Sequence, residues 1–153
     1  MIRKYFIDGN NLIGKSNSLK YIQAKNPQQS REKLVFILER YFRTKGYDVV
    51  AFFDGYPREA INSVKVNIVY SYDRPADDCI RDEIERDRNP KTIAVVSSDH
   101  YVMNSAKANA CTVLKSEEFW SMINNSYSTD EEAEIQKSIS EEEIKRLFDV
   151  DEE

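Results

Sequence analysis

Tyr5-Phe6-Ile7-Asp8-Gly9-Asn10-Asn11 decides the fold: a short apolar run stops on an acid, a glycine and two asparagines. Three apolar residues are too few for a helix and suit a buried strand. Glycine permits a sharp turn, and the asparagines favour a loop or a helix cap. The same grammar returns twice downstream. Asp48-Val49-Val50-Ala51-Phe52-Phe53 ends in Asp54-Gly55, and Thr92-Ile93-Ala94-Val95-Val96 runs into Ser97-Ser98-Asp99-His100. The second run is too apolar for a solvated face, as befits an interior strand of a parallel sheet.

Amphipathic stretches separate these runs. Leu34, Ile37, Leu38, Tyr41 and Phe42 recur at helical spacing, which predicts a helix opening at Ser30 and ending near Gly46. Val64 to Tyr70 alternates and reads as a third strand or an edge ribbon. Pro75 suits the first turn of a helix over Ala76 to about Arg88, with Asp78, Asp82 and Glu85 near one face and Ile80 and Ile84 on another. Tyr101 to Ala108 is a short helix and Cys111 to Leu114 a last strand. Ser116 caps a helix that turns Phe119, Trp120 and Ile123 to the core. Short strands alternating with helices predict an α/β domain with a mainly parallel sheet over residues 1–125. Residues 126–153 form an acidic extension, in which Ser140-Glu141-Glu142-Glu143 has the pattern of a capping box and opens a short helix.

The chain has 153 residues, 41% of them hydrophobic, which supports one core. Its net charge of −5 is unevenly spread. Residues 130–153 carry 11 acidic and 3 basic side chains, leaving 16 acidic and 19 basic in residues 1–129. A mildly basic body with an acidic tail neither establishes nor excludes a nucleic-acid partner. No run approaches the roughly 18 apolar residues of a membrane span, and the N-terminus enters a strand rather than an apolar signal core. A cytoplasmic protein without a membrane partner is expected. Cys79 and Cys111 lack the paired spacing of a zinc site and are expected as reduced, packed thiols.

In a parallel sheet all strand C-termini share one edge, and ligands bind in the crevice beyond it. Asp8, Asp54 and Asp99 each follow a predicted strand, and Asp77-Asp78 opens the helix after Pro75. Carboxylates gathered there would repel and raise one another's pKa unless a cation compensated them. Oxygen ligands without His or Cys select Mg²⁺ or Mn²⁺. Helix capping is the competing reading for any one of these acids. Neighbouring helical residues point about 100° apart, so Asp77 and Asp78 cannot both face the cleft. Asp8, Asp78 and Asp99 are the expected metal ligands, Asp54 is the fourth catalytic acid, and Asp77 is a cap or outer-shell partner; the reverse assignment of the pair stays open. Asn10, Asn11, Ser97 and Ser98 are candidates to orient these acids or to contact substrate. Lys15, Lys20, Lys25, Arg31, Arg58 and Arg74 come from loops expected near this edge and would track a phosphate backbone, Lys15 and Arg74 being the substrate-binding candidates. Tyr56, Tyr70, Tyr72 and Tyr101 can stack bases or serve as core margins. His100 follows Asp99, but hydrolases that activate water at a cation need no histidine.

Tyr5-Phe6-Ile7-Asp8-Gly9-Asn10-Asn11-Leu12-Ile13-Gly14, Phe52-Phe53-Asp54-Gly55, Ala76-Asp77-Asp78-Cys79-Ile80 and Val95-Val96-Ser97-Ser98-Asp99 together resemble the NYN branch of the PIN-like nucleases, particularly the bacterial YacP-like proteins. The resemblance spans about residues 1–125 and leaves the acidic extension outside. It implies a three-layer αβα sandwich and divalent-metal-dependent endoribonuclease activity. Single-stranded or loop RNA is the expected substrate, because its unpaired bases can be stacked and read. The acids carry over to Asp8, Asp54, Asp78 and Asp99, with Asn11 as polar support. It also makes the ribosome a partner by analogy. His-Tyr-Val-Met after Asp99 departs from the small or polar continuation expected. The rival expectation is a non-catalytic RNA- or ribosome-binding module of the same fold. A haloacid-dehalogenase phosphatase would need an Asp-x-Asp pair at Asp8, where position 10 is Asn.

Overall fold

The computed structural model describes residues 1–126. The capping-box helix expected at Ser140 lies outside the described residues. Five parallel strands, β1 (Lys4–Asp8), β2 (Asp48–Phe53), β3 (Val66–Tyr70), β4 (Ile93–Val96) and β5 (Thr112–Leu114), form one sheet in the order β3-β2-β1-β4-β5. Chain order runs outward from β1 to β3 on one side and resumes at β4 on the other, so the order reverses between β1 and β4. Loops leaving these two strands diverge there and open a crevice at the C-terminal edge.

Side chains alternate across the sheet with period two. Tyr5, Ile7, Val49, Ala51, Phe53, Ala94 and Val96 pack on one face against α1 (Gly9–Gly14), α2 (Asn17–Lys25), α3 (Pro27–Phe42) and α6 (Ser116–Ser126). Phe6, Phe52, Ile93 and Val95 pack on the other against α4 (Ala76–Arg86) and α5 (His100–Ala108). Both faces of the central strands are therefore buried, which explains their unbroken apolar runs. The result is a three-layer αβα sandwich. Among the described residues no helix is long and apolar enough to cross a membrane.

Three departures from the local pattern have physical causes. Residues 9–14 and 17–25 fold as α1 and α2, where a loop or a helix cap was expected at Asn10-Asn11 and loops at Lys15, Lys20 and Lys25. α1 has only six residues, and α2 buries just Leu19 and Ile22, so neither displays a readable stripe. α3 starts at Pro27, with the Asn26 side chain accepting the Gln29 N–H at 3.1 Å, three residues before the Ser30 expected to open it. Parallel strands are usually joined through a helix, yet residues 54–65 between β2 and β3 form none. Glu39 of α3 substitutes a tether: its Oε1 accepts the Lys65 N–H at 2.6 Å, the Val66 N–H at 3.2 Å and the Ser63 hydroxyl. Val64 stands fully exposed and the strand begins only at Val66. Cys79 and Cys111 are free and buried, and burial pushes the Cys111 thiol up to about 11.

Candidate functional site

Gly9 lets α1 begin directly against β2: a Cβ there would meet Phe53 Cε1 at 2.5 Å and the Phe52 carbonyl oxygen at 2.7 Å. This close approach brings Asp8, the last residue of β1, level with the end of β2. Asp8 stands at the N-cap of α1, where the Asn11 N–H favours its charge without making a close capping hydrogen bond. Its Oδ2 instead accepts the Ser97 hydroxyl at 2.7 Å, across the reversal point of the sheet. With only 7% of its surface exposed, Asp8 pays for burial: desolvation pushes its carboxyl up to about 6. The Ser97 hydroxyl and the Asn11 N–H pull the other way, and the charges of Asp54 and Asp99 add to the rise.

The remaining acids have mixed duties. Asp54 Oδ1 accepts the Ala76 N–H at 2.8 Å, which joins the end of β2 to the first turn of α4. Asp99 Oδ1 caps α5 through the Val102 N–H at 3.1 Å. Capping therefore accounts for part of what Asp54 and Asp99 do and for little of what Asp8 does. A cleft of about 320 Å³ opens among them, lined by Asp8, Asn10, Asn11, Asp54, Pro75, Ala76, Asp77 and Asp99. Four carboxylates and no basic side chain line it. Burial raises the Asp77 carboxyl, with Asp78, Asp99 and Asp54 adding to the effect and the Asp78 N–H opposing it.

Asp77, not the expected Asp78, lines this cleft. The Asp78 carboxylate turns to Arg81 at 3.7 Å and to the Tyr101 hydroxyl at 3.4 Å. Helix phase is the reason. Ala76, Cys79, Ile80 and Ile84 are the buried stripe of α4. At about 100° per residue, Asp78 points roughly opposite the mean of that stripe and Asp77 stands about a quarter-turn from it. Ile80 and Ile84 alone give the same answer, with Asp77 about 40° and Asp78 about 140° from their mean, so the apolar stripe already separates the pair.

Asn11 and Ser97 are junctions. Asn11 Oδ1 accepts the Ser98 N–H at 2.9 Å and the Ser116 hydroxyl at 2.7 Å, so one side chain ties α1, the β4–α5 loop and α6 together. Ser97, fully buried, accepts the Asp99 N–H at 3.0 Å while donating to Asp8. Asn10 Oδ1 accepts the Asp54 N–H at 2.8 Å. Ser98 donates to Glu117 at 2.6 Å and accepts the Ser116 N–H at 2.9 Å. Ser116 is the contributor that sequence reasoning missed, since a serine before an apolar run reads as a cap. The basic candidates stand outside the lining of the cleft. Arg74 pairs with Asp82, Lys15 follows α1, Lys20 and Lys25 lie on α2, and Arg58 lines a separate polar pocket with Gln28 and Glu32. Arg31 donates to the backbone oxygens of Asp54 and Tyr56. His100, exposed, is the first residue of α5 and does not line the cleft.

Among the described residues no three Asp, Glu, His or Cys side chains converge closely enough to enclose a metal ion by themselves. Mg²⁺ does not require such a cage, because it retains water and is commonly held by one or two carboxylates plus substrate phosphate. The donor set, all hard carboxylate oxygens without a basic neighbour in the lining, fits that mode in its chemistry.

A family model described as the YacP-like NYN domain matches residues 5–152, a span that includes the acidic stretch the sequence resemblance left outside. Among solved structures, Rae1 (YacP) from Bacillus subtilis superposes with a TM-score of 0.70 at 18% identity, covering 99% of this chain and 90% of that one. A mutant form of the same protein gives a TM-score of 0.69 at 20% identity, covering 81% and 76%. No curated protein matches significantly.

Proposed function

We propose, because the chain belongs to the YacP-like NYN domain family and so to the RNA-related nuclease domains, that it is a divalent-metal-dependent endoribonuclease of the cytoplasm. The proposed substrate is single-stranded or loop RNA, extending by family analogy to messenger RNA on the ribosome. One observation carries this reading: four carboxylates from separate segments, Asp8, Asp54, Asp77 and Asp99, line one cleft beside the reversal point of the sheet with no basic side chain among them.

These four acids are the residues that would hold Mg²⁺ or Mn²⁺. When bound, such an ion supplies the positive charge that offsets the carboxylates and polarises a scissile phosphate. Ser97 fixes the orientation of Asp8 through its 2.7 Å hydrogen bond. Asn11 holds the loop carrying Asp99 against α6, and Asn10 holds the backbone at Asp54, so the acids keep their separation when substrate enters. Unpaired bases are accessible to side chains in a way that those of an A-form duplex are not, which favours a single strand.

The test incubates full-length protein with end-labelled RNA in Mn²⁺ or in EDTA, beside Asp8→Asn and Asp99→Asn. Internal cleavage only with the metal, lost in both variants, is expected. Metal-independent cleavage or full activity in both variants sinks the reading. The absence of three converging ligands among the described residues favours the rival, an RNA- or ribosome-binding module without catalysis. Two measurements separate the two: RNA binding in EDTA, together with no binding heat when Mn²⁺ is titrated into EDTA-free protein, supports the module.

A further inference from the structure

Gly55 alone separates the cleft residue Asp54 from Tyr56, so no more than about 7 Å of chain links their Cα atoms. Tyr56 and Tyr72 are among the few large apolar side chains left exposed in the described residues, at 52% and 54%. They are also partners: their ring centroids lie 5.1 Å apart with the planes at 84°. Edge-to-face packing of this kind fixes the angle of one ring by the other and leaves ring faces to solvent.

The backbone beneath the pair is built rather than loose. Tyr72 has φ +61°, a conformation that costs an aromatic residue free energy and persists only where surrounding contacts impose it. Those contacts are present. The Tyr72 N–H donates to the Gly55 carbonyl at 2.8 Å, the Gly55 N–H to Ser71 Oγ at 3.0 Å, and the Ser71 N–H to the Phe53 carbonyl at 3.0 Å. Gly55, at φ +84°, makes the turn that permits this lacing. On the other side Arg31 donates to the carbonyl oxygens of Asp54 and Tyr56, with its guanidinium over the Phe53 and Tyr70 rings. The Tyr56 hydroxyl donates to Asp73. Two exposed rings are thus held in one orientation by the same segments that carry Asp54.

We infer that Tyr56 and Tyr72 form a stacking platform for an unpaired base of single-stranded RNA whose backbone runs into the carboxylate cleft. The inference rests on the nuclease reading above for the identity of the strand. Every base has a π face, so the platform selects an unpaired strand over a duplex without selecting sequence.

The test titrates a fluorescein-labelled single-stranded RNA, and a blunt duplex of the same sequence, with full-length protein in EDTA and reads anisotropy; cleavage is followed separately in Mn²⁺. The variants are Tyr56→Leu, Tyr72→Asn and Tyr56→Phe. Asparagine tolerates positive φ, so Tyr72→Asn removes the ring without refolding the loop, and melting curves check each variant. Loss of a ring should weaken single-strand binding about 5- to 150-fold, the range expected for one base stack, with duplex binding unchanged and Tyr56→Phe retaining affinity. Wild-type cleavage with unchanged single-strand binding in Tyr56→Leu and Tyr72→Asn overturns the platform and leaves the nuclease reading standing. Ring-dependent binding without any cleavage does the opposite. Equal loss of duplex and single-strand binding also overturns the platform.

Discussion

At the scale of single residues, burial of the Asp8 carboxyl carries a cost. A carboxyl raised from 3.8 to about 6 binds its proton more tightly folded than unfolded. Without metal, the contribution of Asp8 to stability is therefore full below the unfolded pKa, falls as pH rises from about 4 to 6, and levels above that, by about 3 kcal/mol for this one group. Asp8→Asn cannot ionise, so in EDTA it should lack this fall and unfold at higher denaturant than wild type at pH 7. Urea titrations at pH 4.5 and 7 measure it; equal pH dependence in the two proteins would contradict the assignment of the cost to Asp8. Ser97 stands behind Asp8 and has a separate signature. Ser97→Ala removes one hydrogen bond to Asp8 and leaves the Asp99 N–H without its acceptor, at a cost of about 1–3 kcal/mol. It also removes the hydroxyl that holds the Asp8 carboxyl down, so the acid limb of the pH profile for RNA cleavage should move to higher pH. A profile that drops in height without moving would make Ser97 structural only.

At the scale of elements, the site depends on how closely α1 seats on β2. Gly9→Ala would put a methyl within 2.7 Å of both the Phe53 ring and the Phe52 carbonyl oxygen, where backbone cannot yield cheaply. The expected loss is about 1–3 kcal/mol or more. Gly14, at the other end of the same helix, has nothing within 4 Å of a built Cβ, so Gly14→Ala serves as the control and should leave the melting temperature nearly unchanged. Equal melting of the two variants would show that the approach of α1 to β2 is not tight. The strands were readable because burial on both faces leaves an unbroken apolar run, and β2 matches its expected span of residues 48–53. α1 and α2 were not, because six residues and a two-residue stripe carry too little periodicity to stand out from a polar loop. Their formation depends on the surface that β1 and α3 present to Leu12, Ile13, Leu19 and Ile22.

At the scale of the whole molecule, charge is divided between a mildly basic body and a tail with 11 acidic side chains against 3 basic ones over residues 130–153. Removing residues 130–153 should strengthen RNA binding at low salt if the tail competes for the basic surface, and the gain should fade as salt screens both attractions. Anisotropy titrations of the two proteins across a salt series read this directly, and unchanged affinity at low salt rejects autoinhibition. The sequence by itself determined that short apolar strands lead into Asp8, Asp54 and Asp99 and that the class is α/β, because run length and alternation record burial locally. Tertiary structure decided the rest. Only the strand order β3-β2-β1-β4-β5 sets β1 beside β4, and with them Asp8 beside Ser97, residues far apart in the chain. The packing of α4 on the sheet carries Asp77 to the cleft beside Asp8, Asp54 and Asp99, and only the docking of α6 brings Ser116 to Asn11. Local pattern records which side chains leave water; which polar groups then meet depends on how the covered faces pack together.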